Sequence, residues 1–231
     1  MILAVDLFDA LGDAFTAAAL ASVVAGASPL VFATIGETIT EKAGVINLSL
    51  EGSIMLSAMA GFAAAIGTDT VIVGYLAAAA VGAGIALLIA LSSIELRLDQ
   101  IAVGFVLTLL AIDLSDFLGN SFVGRAGPQV PSWEIPGLRS IPFIGKVFFT
   151  HNVSVYASYV AVLVATWFMF RTRKGLELQA IGERPEAAFS RGIPVNKLRY
   201  IYVVIGGALV GIAGAAFSLD QISGWRENAI A

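Results

Sequence analysis

An ionisable side chain inside a long apolar run is the residue most in need of an explanation, and Glu51 is one. Val-Ile-Asn-Leu-Ser-Leu precedes it and Gly-Ser-Ile-Met-Leu-Ser-Ala-Met-Ala comes after it. A charge at the centre of a bilayer costs about 2.5–3.5 kcal/mol on insertion scales, so Glu51 has to face protein or water. Asn47 lies four residues earlier, and on a helix the two share a face. Ser49, Ser53, Ser57 and Gly61 recur every four residues on roughly the opposite face, where small side chains let helices pack closely. The expectation is a segment that packs by its serines and presents Asn47 and Glu51 to a cavity or a neighbouring helix. Glu51 then either braces another helix or loop by hydrogen bonds, the commoner fate of such a group, or touches a solute. Gln100, Gly104 and Thr108 form a second stripe, which either lines the same pathway or makes interhelical hydrogen bonds. Asp113 and Asp116 fall near the end of that stripe's segment and are expected to be solvated.

Other chemistries are absent from the sequence. It has no cysteine, which excludes disulfides, iron–sulfur clusters, thiolate zinc sites and thiol nucleophiles. The single histidine, His151, excludes a multi-histidine metal site and sits at a junction where an interfacial histidine without a role is the default. There is no Gly-x-Ser-x-Gly or Gly-x-Gly-Asp motif and no Gly-x4-Gly-Lys-[Ser/Thr] phosphate loop. No catalytic residue, metal ligand or cofactor site is assigned to this chain.

The elements that must position these residues are set by composition. Of the 231 residues, 58% are hydrophobic and only 13% are charged, about half the usual charged share. Six apolar segments stand out, at about 14–36, 45–67, 71–94, 100–118, 153–170 and 200–219, each near the ~20 residues that cross hydrocarbon as a helix. This excludes a soluble α/β enzyme and a nucleic-acid binder, and the runs lack the alternation of a membrane β-barrel. The fold class is therefore all-α, a polytopic helical membrane bundle forming a single transmembrane domain over 1–231. Polar residues interrupt the second segment, which makes it the candidate for a broken span. Residues 120–152 hold Pro128, Pro131, Pro136 and Pro142 and read as an extramembrane loop, part of which lies on or dips into the membrane. Gly207-x-x-x-Gly211 and Gly214 permit close helix contact in the last segment.

Orientation is read from the basic residues. The stretch 171–199 carries Arg171, Arg173, Lys174, Arg184, Arg191, Lys197 and Arg199, seven of the 13, and is placed in the cytoplasm. With six spans Lys42 and Arg97 also fall inside, leaving Arg125, Arg139, Lys146 and Arg226 outside. Both termini are then external. The acidic start, with Asp6, Asp9 and Asp13, is not a secretory signal peptide.

Within that basic stretch, Gly182-Glu-Arg-Pro-Glu-Ala-Ala-Phe-Ser-Arg-Gly-Ile carries a helix start at Pro185, with Glu186 at the positive end of the dipole, and a stop at Gly192. The spacing predicts one short helix over Pro185–Arg191 bearing Ala187, Ala188 and an exposed Phe189. Such a helix suits a partner's groove; the alternative is a helix lying on the membrane surface.

Glu41-Lys-Ala-Gly-Val-Ile-Asn-Leu-Ser-Leu-Glu-Gly-Ser-Ile-Met-Leu resembles the "ER-x-G-V-x-N-I-G-L-E-G-x-M-L" stretch of the membrane subunits of bacterial ATP-binding-cassette importers. The likeness is to the permease family for simple sugars, nucleosides and branched-chain amino acids, in its nucleoside-type branch. The loop sequence is similar to that family's "G-x-N-P-x-A-A-x-x-x-G-I" coupling loop, with Arg184 where asparagine is usual. The resemblance spans roughly 30–225. It implies that Gly182, Pro185, Glu186, Ala187, Ala188, Phe189 and Gly192 form the element that docks on the ATPase. It further implies a second permease subunit, two ATPase subunits that use the ATP, an external solute-binding lipoprotein and a multi-pass place in a bacterial or archaeal plasma membrane. Members usually run on into further spans after "W-x-x-N-x-x-x-G". Here Trp225-Arg-Glu-Asn228 stands at the end, as expected of a truncated or short form. An ion-coupled carrier using Glu51, and a non-transporting scaffold, are the alternative readings.

Overall fold

In hydrocarbon a chain must pair its own backbone polar groups, so apolar runs of this length become helices. The computed structural model describes residues 2–135, 137, 138, 141, 143–221 and 225, with side-chain surroundings from Phe15 onward apart from Glu134. Its elements are α1 (Ile2–Lys42), α2 (Leu50–Thr68), α3 (Val71–Ile94), α4 (Gln100–Gly119), β1 (Ser132–Glu134), α5 (Ile144–Phe148), β2 (Thr150–Asn152), α6 (Val153–Arg171), α7 (Arg173–Glu183), α8 (Pro185–Ser190) and α9 (Val195–Ala216). Six stretches are long and apolar enough to cross a membrane: Phe15–Lys42, Leu50–Thr68, Val71–Ile94, Gln100–Phe122, Val153–Arg171 and Val195–Gln221. The fourth is prolonged by a 3-10 turn, Asn120–Phe122, and the sixth by a π-helical turn, Phe217–Gln221. Each expected segment overlaps one span, but several spans run further, the first to Lys42 and the sixth from Val195 to Gln221, and the second is helical only from Leu50, not from residue 45.

Helix α9 is the centre of the bundle, packed on α1, α2 and α3. Its glycines divide the work. Gly206 meets the Gly36 carbonyl and Thr40 of α1; Gly207 and Gly211 meet Gly82, Ala86 and Ala78 of α3; Gly214 meets Ile54, Ser57 and Ala58 of α2. At each of these crossings a methyl group would strike opposing backbone, so only glycine admits the observed spacing. Ser49, Ser53 and Ser57 are buried, and the serine stripe of α2 is a packing face.

The ends of the bundle differ. Lys42, Arg97 and the stretch 171–199 gather at one end: Gly182 abuts the Lys42 carbonyl, and Tyr200 donates to Glu95 at 3.2 Å. At the opposite end the described residues between 123 and 152 fold over the helices. Gly127 packs on the Phe62 ring, Val123 bridges to Trp225, and β1 pairs antiparallel with β2, Trp133 opposite His151. The region expected to be an extramembrane loop holds a strand pair and α5. His151 is buried there, its Nε2 donating to the Val147 carbonyl at 2.7 Å and its backbone N–H to the Tyr156 hydroxyl at 3.1 Å. It holds the loop together. Asp113 is exposed, but Asp116 departs from the expected solvation: it is half-buried, with Oδ1 covered and unpaired among the described residues. Pro136, Arg139, Pro142, Arg226 and Asn228 lie outside the described residues.

Two outcomes are expected. Cysteines placed at Ser132 and Ser190, both exposed and at opposite ends, should react with impermeant reagents from opposite faces of the membrane, Ser190 from the cytoplasmic side; labelling from one face would refute the topology. Gly207→Val should abolish monodisperse protein in size-exclusion chromatography, whereas Gly84→Val, with nothing within 4 Å of its added carbon, should leave the profile unchanged.

Candidate functional site

Between α1 and α2 the chain runs as irregular backbone over residues 43–49. It leaves the end of α1 through Gly44, whose φ of +80° suits glycine alone, then turns back into the bundle. Leu48 abuts Gly104, and Gly52 abuts Thr108 and Ala111. Thr108 is eight residues into α4, about 12 Å along its axis, so α2 starts well inside the membrane. Irregular backbone at that depth survives only if protein groups satisfy it. They do so here. Gln100 accepts the Ile46 N–H at 2.8 Å and donates to Ser93 at 2.6 Å. Glu37 accepts the Asn47 N–H at 3.2 Å, and Thr108 donates to the carbonyls of Leu48 and Gly104, each at 3.0 Å. The Asn47 side chain is buried and accepts from the Ser49 N–H at 3.0 Å and the Ser49 hydroxyl at 2.7 Å, bridging the break as an Asx turn. Asp99 caps α4 by accepting from the N–H groups of Ile101 and Ala102.

Asn47, Gln100 and Thr108 are thus brought together, but as braces of the break. Asn47 is not on a helix, so it does not share a helical face with Glu51 as the four-residue spacing implied. Nor does Glu51 brace anything. It lies in the first turn of α2, exposed, without a hydrogen bond or ion pair among the described residues. The bond-making expected of Glu51 belongs to Glu37, which the sequence pattern did not single out. Its signal was a carboxylate five residues before the end of a long apolar helix. Glu37 keeps one oxygen, Oε2, buried and unpaired among the described residues. Among the described residues Glu51 is left as a carboxylate without a partner, in the first turn of a helix that begins beside Thr108 of α4.

The basic end carries the second group of residues. Thr172 caps α7 by accepting the Gly175 N–H at 3.0 Å, and Glu177, 2.7 Å from Lys174, raises the pKa of that lysine. Helix α8 runs Pro185–Ser190, one residue shorter than expected, with Pro185 opening it, Glu186 in its first turn and Gly192 closing it at φ +80°. Arg184 makes no capping hydrogen bond there, and the helix forms without one. Gly182 sits against the Lys42 carbonyl and Gly44, and Arg199 donates to the Ile181 carbonyl at 3.3 Å, so the loop is seated on the start of the broken segment. Glu186, Ala187 and Phe189 are exposed, Phe189 at 73%. Ala188 is not a partner-facing residue: at 3% exposure it belongs to this chain's own core, in the cluster that also holds Ile181 and Val195.

A third polar cluster, equally unmarked in the sequence, stands at the opposite end. Asp220 Oδ2 accepts from the Tyr75 hydroxyl at 3.0 Å and from the Ser154 hydroxyl. A tyrosine early in an apolar span and an aspartate just past the last one were its signals.

Removing the braces should loosen the break. Thr108→Val and Gln100→Leu are each expected to destabilise the purified protein by about 0.5–2 kcal/mol, in the range of a buried hydrogen bond. Glu51→Gln should leave thermal stability unchanged. A larger loss for Glu51→Gln than for Gln100→Leu would reverse this assignment.

Three relatives set the geometry among known proteins. The chain is 37% identical to a putative glucose ABC transporter permease of Haloferax volcanii over 91% of this chain and 65% of that protein. It is 34% identical to a nucleoside ABC transporter permease of Lactococcus lactis, over 89% of this chain and 68% of the relative. It is also 34% identical to a guanosine ABC transporter permease of Bacillus subtilis, over 83% and 64%. The chain therefore spans about two thirds of the length of these relatives. No solved structure matches it. Residues 19–230 match the family described as branched-chain amino acid transport system / permease component, and with six membrane-spanning stretches in one bundle the chain is a member of that permease family.

Proposed function

We propose that this chain is the permease subunit of an ATP-binding-cassette importer. It forms, with a second permease subunit, the pathway for a small polar solute, most nearly a nucleoside or a simple sugar. The relatives' names, glucose, nucleoside and guanosine permeases, support that solute class. Their occurrence in two bacteria and an archaeon supports the plasma membrane of such a cell as its place. ATP is bound and hydrolysed by partner ATPase subunits on the cytoplasmic face, and an external binding lipoprotein delivers the solute.

One observation carries the reading: α8 turns its small residue inward and its large apolar residue outward. Ala188 roots the helix in the core, while Phe189 stands exposed at the basic end, outside the spans. A lone aromatic on an otherwise small or charged element is a natural anchor for a partner's cleft. The seat of α7–α8 on Lys42 and Gly44 gives that contact a mechanical route to the break before α2, whose first turn carries Glu51, unpaired among the described residues.

Phe189→Ala should leave the permease folded and weaken ATPase docking about 30-fold, or ~2 kcal/mol. Ala188→Asp should instead lower the yield of folded permease, because its charge would enter the core. Co-purification of the ATPase with each variant, beside a count of folded protein, checks both. Uptake should persist when the proton gradient is dissipated and ATP is maintained; collapse under those conditions would favour an ion-coupled carrier.

A further inference from the structure

Helix α6 stands apart from the glycine-packed centre. It lies mainly along α1, and crevices separate it from the bundle at two levels. Near its start is a cavity of about 540 Å³ lined by Phe32, Leu76, Ala157 and Ile212, with Tyr75 and Ser154 also in its wall. Further along, a crevice of about 320 Å³ is lined by Ile39, Val164, Phe168 and Leu209. Ser154 is the α6 side chain that ties this helix to the sixth spanning stretch, through its hydrogen bond to Asp220. At its other end α6 passes through Thr172 directly into α7 and so to α8.

We propose that Asp220, Ser154 and Tyr75 form a latch for the external end of α6, opened and closed as α8 moves. The chemistry of the cluster favours a switch over a fixed rivet. Both donors converge on Asp220 Oδ2, while Oδ1 is buried without a partner among the described residues. The closed arrangement gains two hydrogen bonds to a carboxylate, and it leaves one strong acceptor oxygen unsatisfied. Swinging α6 away would lose the Ser154 bond and let water reach Oδ1. Two arrangements with opposing gains, on a helix with apolar space beside it, make a bistable element. Because α6 and α7 are nearly continuous, a push on α8 is delivered to α6 at its cytoplasmic end. The latch itself stands on this geometry; its use in transport rests on the permease reading.

The test places spin labels at Leu76 and Ala157, exposed residues on opposite walls of the larger cavity, in this cysteine-free chain. In nanodiscs the unaltered cluster should give one short inter-label distance. Ser154→Ala should add a longer population, and Ser154→Thr, which keeps the hydroxyl, should restore the short one. With the ATPase bound, ATP should also move the unaltered cluster towards the longer distance. Identical distances for Ser154→Ala and the unaltered protein would overturn the latch. A distance unmoved by ATP with the ATPase bound would overturn its gating role alone. Failure of any ATPase to bind would sink the permease reading and the gating role with it, while the Ser154 comparison would still read out the latch.

Discussion

Backbone meeting backbone at glycine is the contact on which this bundle depends. Lipid supplies no hydrophobic drive between helices, so association rests on close van der Waals approach and on hydrogen bonds. Helix α9 reaches α1 through Gly206, α3 through Gly207 and Gly211, and α2 through Gly214, three partners of one helix. The reciprocal glycines, Gly36 and Gly82, let the opposing helices come equally near. Everything else is hung on this centre: α4 packs on α2, α6 lies along α1, and the loop helices are attached at one end.

The tight centre permits an irregular element beside it. Residues 43–49 are the one stretch among the described residues where non-helical backbone lies at membrane depth between two spans, and side chains from two helices satisfy it. Glu37 belongs to α1, Gln100 and Thr108 to α4, and Ser93 of α3 holds Gln100 in turn. Polar residues that in a sequence look like the lining of a pathway are here spent on backbone, because an unpaired amide or carbonyl in hydrocarbon costs several kcal/mol. That leaves Glu51 unspent at the start of α2. The same break is touched from the basic end by Gly182 and Arg199, so the α7–α8 loop and the start of α2 share one short piece of chain.

The two ends of the molecule are built on different chemistry. The basic end is joined by backbone seats, the Arg199 guanidinium and the Tyr200–Glu95 hydrogen bond, with Phe189 exposed. The opposite end is joined by a half-satisfied carboxyl, Asp220, and by the paired strands β1 and β2. Helix α6 connects the two, which is why a loosely packed helix has a place in an otherwise close bundle.

Much of this was legible in the residues themselves. Six apolar runs specify six spanning helices because hydrocarbon leaves the backbone no other partner. The glycine spacing in α9 and the serine spacing in α2 specify packing faces, because small side chains recur at the helical period. The Pro185-to-Gly192 punctuation specifies a short helix almost to the residue. What sequence periodicity could not decide was where a helix stops inside an apolar run. Val45 to Ser49 are as apolar as the first turns of α2, and only the partners at Glu37, Gln100 and Thr108 make an unwound course there possible. Which neighbour of Phe189 faces inward was equally undecided, since α8 is too short to show a face; the burial of Ala188 in the core cluster that also holds Ile181 and Val195 settles it. Asp220 meets Tyr75 across 145 residues of chain and Ser154 across 66, and no local pattern encodes a contact that exists only once three helices have been laid side by side.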